Sequence, residues 1–174
     1  SMSNAPYLLK NARGGQRLGH GEMIDSMIHD GLWDVYNNKH MGTCAEMLAT
    51  DRHYSRKAQD AYAIESYSRA QDAQKKGVFN SEIVPVEIPK RKNDPVIIKE
   101  DEEPAKAQFD KIPILRPVFE KEGTITAANA SKLNDGAAVL LITSEDRAKE
   151  MDLEPLVAIV GQASAAHEPE WFTT

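Results

Sequence analysis

The run Gly123-Thr124-Ile125-Thr126-Ala127-Ala128-Asn129-Ala130-Ser131-Lys132-Leu133-Asn134-Asp135-Gly136-Ala137-Ala138 constrains this chain more than any other segment. Small residues, Asn and Gly are packed too densely there for an ordinary helix or strand. Backbone of this kind runs close to something else, and Gly and Asn tolerate the dihedrals that a close approach requires. A continuous apolar run follows at once, Ala138-Val139-Leu140-Leu141-Ile142, which predicts a buried strand. A tight polar loop feeding a core strand is a common way to build a ligand site. From the residues alone, the reading is a binding loop.

Composition narrows the partners. At 174 residues the chain is long enough for one domain with a real core. A net charge of -6 and a pI near 5.4 argue against nucleic acid or an anionic membrane as a global partner. Local basic residues can still hold phosphate. The one cysteine excludes an intrachain disulfide and fits a reducing compartment weakly. No apolar stretch approaches the ~20 residues needed to span a bilayer.

Along the chain, residues 1–22 read as loop, with Gly14, Gly15, Gly19 and Gly21 interleaved with Arg13, Arg17 and His20. Met23 to Ile28 predicts a short helix ending near Asp30-Gly31, where Gly can adopt a left-handed cap. Thr43 with Glu46 three residues later has the capping-box pattern. A second helix is expected from Ser55 to just before Gly77, with Lys75 and Lys76 suited to the negative end of its dipole. Ala63, Tyr67 and Ala70 would share one face of it. Ile83 to Ile88 predicts a strand with Pro85 favouring an edge, and Val96 to Ile98 a short partner. Residues 104–122 are Pro-rich and irregular, the pattern of a linker or a functional loop. Ser144 is a good N-cap before Glu145 and Asp146, and Leu156 to Val160 predicts another buried strand.

The long small-residue motif resembles the signature loop of thiolases, coenzyme A-dependent enzymes that make or split 3-ketoacyl thioesters. Other segments resemble the same family in the same order. Ser1-Met2-Ser3-Asn4-Ala5-Pro6-Tyr7 is similar to the segment after the family's Gly-Gly-Met/Cys-Glu turn. Lys39-His40-Met41-Gly42-Thr43-Cys44-Ala45-Glu46 is similar to its His-Met-Gly motif. Asp60-Ala61-Tyr62-Ala63-Ile64 and Glu82-Ile83-Val84-Pro85-Val86 complete the series. The resemblance covers the whole chain and is strongest to acetyl-CoA C-acetyltransferases. It implies an α/β protein of the layered α-β-α-β-α thiolase fold. In that frame residues 1–2 end a segment of the N-terminal core domain, and 3–134 form the loop domain that covers coenzyme A. Residues 135–154 return to the N-terminal core domain, and 155–174 begin the C-terminal one. The 174 residues would then be the middle of a longer subunit, unable to bury their core strands alone.

Site residues follow from the resemblance, each beside a plainer reading. Cys44 can be a thiol activated at a helix start or a small buried residue. The family's nucleophile lies upstream of Ser1 and its second catalytic cysteine downstream of Thr174, so Cys44 matches neither and is expected to pack. The family's base-activating histidine belongs to a Gly-His-Pro motif absent here. His40, beside Met41 and with Leu32 nearby, is expected to line the thioester end of the pocket, the alternative being a histidine that only structures its loop. Lys106, Ala107, Gln108 and Lys111 match the nucleotide-contacting part of the irregular loop, where the lysines would meet phosphate; solvated lysines are the alternative. Phe119 can stack on the coenzyme or pack in the core, and Ser131 would hydrogen-bond the pantetheine amide.

Tyr67 with the carbonyls of Ala127, Ala128 and Ala130 matches a potassium site of mitochondrial-type relatives, where neutral oxygens suit a weakly hydrated cation. No prosthetic group is expected. The resemblance further implies a homotetramer built as a dimer of dimers, with residues 1–22 contributing, and a cytoplasmic location with the mitochondrion as the alternative. The expected activity of the complete protein is condensation of two acetyl-CoA to acetoacetyl-CoA, or the reverse thiolysis. Thr173, where branched-chain-tolerant relatives have proline beside Phe, favours a short linear acyl group. A non-catalytic coenzyme-binding or assembly module, or one half of a split enzyme, is the competing expectation.

Overall fold

The computed structural model describes residues 2–174; Ser1, the first residue of the Ser1–Tyr7 motif, lies outside the described residues. The chain divides into two compact units, one made of the residues up to Met41 with Leu133–Thr174, the other of Gly42–Lys132.

In the first unit, strand β1 (Tyr7–Leu9) pairs antiparallel with β2 (Met23–Asp25), Tyr7 opposite Asp25 and Leu9 opposite Met23. The expectation of an unstructured stretch over residues 1–22 is therefore corrected. The glycines serve the return between the two strands, with Gly15 at φ 83° and Gly19 at φ 109°, values that only glycine adopts without strain. Because Met23 to Asp25 is spent on the ladder, helix α1 (Ser26–Gly31) starts three residues later than its pattern suggested. Asp25 caps it by accepting from the Met27 amide at 2.9 Å. A second ladder joins β3 (Trp33–Asp34) to β4 (Lys39–His40), with Trp33 opposite His40. Helix α5 (Glu145–Glu150) begins where expected, the Ser144 hydroxyl accepting from the Arg147 amide at 3.2 Å.

The two predicted buried strands are not found. Residues 138–142 and 156–160 carry no ladder, and Val139, Leu140, Leu156 and Val160 are 95%, 82%, 98% and 98% exposed. An apolar run of this composition becomes a strand only where neighbours supply the backbone hydrogen bonds and cover both faces. No described segment of the chain supplies them.

The second unit is built on helices α2 (Met41–Asp51) and α3 (Arg56–Lys75). Ser55 caps α3 by accepting from the Ala58 amide at 3.2 Å, and Gly77 ends it with φ 67°, both as the sequence indicates. Strand β5 (Val86–Ile88) pairs antiparallel with β6 (Val96–Ile98); it is shorter than expected and starts after Pro85, which can donate nothing to a ladder. Part of the irregular 104–122 loop is ordered by helix α4 (Glu102–Lys106) and a 3₁₀ turn at Ile112–Ile114. Gln71 and Gln74 of α3 donate to the carbonyls of Pro104 (2.7 Å) and Asp101 (2.8 Å), seating α4 on α3.

The buried apolar residues of this unit are few and small: Cys44, Ala49, Ala63, Ile112 and Ile125. Burying each isoleucine contributes about 1.5–3 kcal/mol, so polar contacts have much left to do. Helix α2 already runs from Met41, which puts Thr43 inside the helix and removes the capping-box role from Glu46. Instead Glu46, 3% exposed, aims its carboxylate at the signature loop. Oε1 accepts from the amides of Thr124 (2.9 Å) and Ile125 (2.8 Å), and Oε2 accepts from the Thr124 hydroxyl (2.9 Å). A Cβ on Gly123 would run into that carboxylate, so the motif's first glycine is a space requirement. Replacing Glu46 by alanine should destabilise this unit by roughly 3 kcal/mol, because buried amides lose a charged acceptor. Glu46→Gln, which keeps one oxygen, should lose less than half of that. Urea unfolding followed by the helical signal of α3 measures both; equal losses would show that one retained oxygen holds nothing and that the grip needs the whole carboxylate.

Candidate functional site

The signature loop is held from two sides before it turns into a wall. Asn129 closes it on itself: its Oδ1 accepts from the Thr126 amide at 2.7 Å and its Nδ2 donates to the Thr124 carbonyl at 3.0 Å. The same Nδ2 reaches Asp60 Oδ1 at 3.1 Å, and Asp60 Oδ2 takes the Arg56 Nε at 2.6 Å. Arg56 continues to the Ile112 carbonyl at 2.8 Å. Asp60, 4% exposed, thus links α3, the signature loop and the 3₁₀ turn through one carboxylate. Gln59 adds a bond from its Nε2 to the Thr124 hydroxyl at 2.8 Å.

Within this frame Tyr67, Lys106, Ala107, Gln108, Lys111 and Ala127, all expected at the site, line a single cleft of about 280 Å³. Ala128 lines it as well. Glu103, Ile112, Leu115 and Lys132 complete it; these four were not anticipated. Their chemistry is that of a site for a long, part-apolar anion: alanines, Ile112 and Leu115 offer a narrow apolar surface, and three lysines offer cationic donors. Ser131 is exposed one residue before Lys132 and is not part of the lining. Phe119 is not part of it either. Its half-buried ring lies over Gly42, where a Cβ would collide with it.

Electrostatically the cleft is internally paired. Lys106 Nζ lies 2.7 Å from Glu103 Oε1, and Lys132 Nζ lies 3.4 Å from Glu103 Oε2. The hydrogen bond from Lys106, then its charge, holds the Glu103 carboxyl below the usual carboxylate value; the same bond raises Lys106. The amides of Asn129 and Ala130 both donate to the Thr126 carbonyl, and no described backbone amide donates to the carbonyls of Ala127, Ala128 or Ala130. Tyr67, Ala127 and Ala128 share the cleft, whereas Ala130 does not line it. Cys44 is 0% exposed and lies outside the lining, so it packs.

Leu32, His40 and Met41 belong to the first unit, and there the structure brings them together. The Met41 amide donates to the Leu32 carbonyl at 2.9 Å, and the His40 ring meets Trp33 edge-on at a centroid distance of 6.3 Å. The β3–β4 turn is tied by Asp34, whose Oδ1 accepts from the amides of Tyr36 (3.0 Å) and Asn37 (3.3 Å). Asn37 Nδ2 bridges Asp34 Oδ2 and Glu170 Oε2, each at 2.7 Å, which fastens the Pro169–Trp171 turn to the hairpin. An Asp that accepts from the backbone amide two residues on forms an Asx turn, as Asp34 does with Tyr36. These bonds, the Asn37 side chain first, hold the Asp34 carboxyl below the usual aspartate range. A depressed carboxylate contributes stability above its unfolded value and loses it as pH falls through the folded value. The amide shifts of Tyr36 and Asn37 should therefore titrate together with a midpoint below that of an ordinary aspartate; a midpoint above it would remove Asp34 as the clasp.

Comparison with known proteins gives the family. The family profile described as thiolase, N-terminal domain, matches residues 1–146. A probable acetyl-CoA acyltransferase of Staphylococcus aureus (strain COL) is 48% identical over 170 residues, covering 97% of this chain and 43% of that protein. Among solved structures, the Bacillus anthracis acetyl-CoA acetyltransferase matches with a TM-score of 0.86 at 42% identity, over 98% of this chain and 43% of that one. A thiolase from Ascaris suum, solved in complex with coenzyme A, matches with a TM-score of 0.75 at 43% identity, over 89% of this chain and 39% of that one. The chain thus spans less than half the length of these relatives. The matched segment runs through the loop held by Glu46 and Asp60 and through every residue of the cleft, and the chain belongs to the thiolase family.

Proposed function

We propose that the cleft of the Gly42–Lys132 unit holds the coenzyme A part of a thioester, in a protein that condenses two acetyl-CoA to acetoacetyl-CoA or runs the reverse thiolysis. One observation carries the reading: six residues expected at a coenzyme site converge on one cleft that is apolar along its walls and cationic at its lysines. The volume of about 280 Å³ suits the slender pantetheine arm or part of the nucleotide rather than the whole coenzyme. The relatives add weight, one being named an acetyl-CoA acetyltransferase and another bound to coenzyme A in its crystal.

In this reading Lys106, Lys111 and Lys132 hold phosphate oxygens as point charges, and Ala127 and Ala128 lie along the arm. Ser131 bonds the pantetheine amide from the loop's exposed edge. Potassium, held by Tyr67 and the alanine carbonyls, would stiffen the loop through neutral-oxygen ligation. The acylated cysteine, the Gly-His-Pro histidine and the proton-removing cysteine belong to polypeptide beyond these 174 residues. What this chain contributes is orientation, which can supply a large share of a barrier reduction. Residues 3–134 act as the loop domain, 135–154 and 155–174 as portions of the two core domains, and the assembly is a tetramer.

Calorimetric titration of the 174-residue chain should detect coenzyme A binding, weakened roughly three- to tenfold in Lys111→Ala. Potassium should raise the affinity and sodium should not; equal effects of the two ions would remove the cation from the site. The chain by itself should show no condensation or thiolysis, because its sole thiol, Cys44, is buried away from the cleft. Measurable turnover that vanishes in Cys44→Ser would overturn this division of labour.

A further inference from the structure

Three lysines and one carboxylate line the cleft, and the carboxylate occupies two of the lysines. Each Glu103 oxygen serves a different segment: Oε1 takes Lys106 from its own helix α4 at 2.7 Å, and Oε2 takes Lys132 at the end of the signature loop at 3.4 Å. The backbone of Glu103 is itself fixed, its amide donating to the N-cap carboxylate of Asp101 at 3.1 Å. Lys111, on the same cleft, has no described carboxylate within ion-pair range. Side-chain exposures of 61% for Lys106, 41% for Lys132 and 39% for Glu103 leave both pairs open to water. Exposed pairs of this kind are weak and readily exchanged.

We propose that Glu103 is a built-in counter-ion that competes with the anionic end of the ligand for Lys106 and Lys132, and so sets how strongly the cleft discriminates phosphate-bearing from uncharged forms of the same arm. The proposal rests on the coenzyme reading of the cleft. A phosphoryl oxygen can reach Lys111 without displacing anything. To engage Lys106 or Lys132 it must replace a Glu103 oxygen, and the displaced carboxylate then stays close to the incoming phosphate. Two like charges held a few ångströms apart at a wet surface repel by an amount worth a factor of a few in affinity. Glu102, whose Oε2 lies 3.7 Å from Lys106, does not line the cleft and should contribute much less.

The test compares the full chain with Glu103→Gln and Glu102→Gln by calorimetry, using coenzyme A and uncharged pantetheine, at low salt and at high salt. Glu103→Gln should bind coenzyme A roughly three- to tenfold more tightly at low salt, with the gain shrinking at high salt, since screening removes the repulsion. Pantetheine affinity should not change, and Glu102→Gln should stay near wild type. Equal or weaker coenzyme binding by Glu103→Gln would overturn the inference, because the carboxylate would then be arranging the lysines rather than competing with phosphate. An equal gain for pantetheine would overturn it as well, and unchanged circular dichroism keeps either outcome free of folding artefacts. If wild type itself binds no coenzyme A, the functional reading falls and takes this inference with it; wild-type binding with an unchanged variant sinks the inference alone.

Discussion

A buried carboxylate gripping two consecutive backbone amides is the interaction on which the rest of the second unit depends. Glu46 takes the amides of Thr124 and Ile125 and the Thr124 hydroxyl, all at 2.8–2.9 Å. A loop of small residues has almost no side-chain surface with which to hold itself in place, and its backbone groups must find partners elsewhere. Charge-assisted bonds to amides are among the stronger ones available for that purpose. Once residues 124 and 125 are fixed, the Asn129 bonds to Thr124 and Thr126 determine the turn that follows. Ala127, Ala128 and Lys132 then reach the cleft because of where their predecessors are held.

This explains a feature of α3 that an amphipathic helix would not show. Only Asp60 and Ala63 are buried along its 20 residues, yet the cleft is organised around it. The helix works through polar side chains that clamp loops: Arg56, Gln59 and Asp60 near its start, Gln71 and Gln74 near its end. Helix α4 and the 3₁₀ turn are thereby carried on a rigid rod rather than on a hydrophobic face. Preorganisation of this kind lowers the ordering cost that a ligand would otherwise meet on binding.

How much of this was legible in the sequence differs by element, for physical reasons. Several local signals held: the caps at Ser55 and Ser144, the stop at Gly77, and the pairing of Val86–Ile88 with Val96–Ile98 all depend on neighbours close in the chain. The signature loop was also legible, because its composition excludes regular structure, and resemblance located seven residues of the cleft, Ala128 among them. Long-range polar contacts were not. Glu46 carries a capping-box spacing to Thr43, and nothing local reveals that its partners lie 78 and 79 residues away. Glu103 and Lys132 are ordinary surface types until folding brings them 3.4 Å apart in the lining of one cleft. The β1–β2 ladder was hidden by the glycines of its long return, which read as loop.

The bare apolar runs at residues 138–142 and 156–160 have a consequence for handling and for quality control. Both are rich in β-branched and leucine side chains, contain no proline or charge, and present unpaired amides and carbonyls to water. Such segments are templates for edge-to-edge association between copies and for capture by chaperones. In any state that leaves them uncovered, the colloidal behaviour of the polypeptide will be governed by those ten residues, at concentrations where the coenzyme cleft has no influence at all.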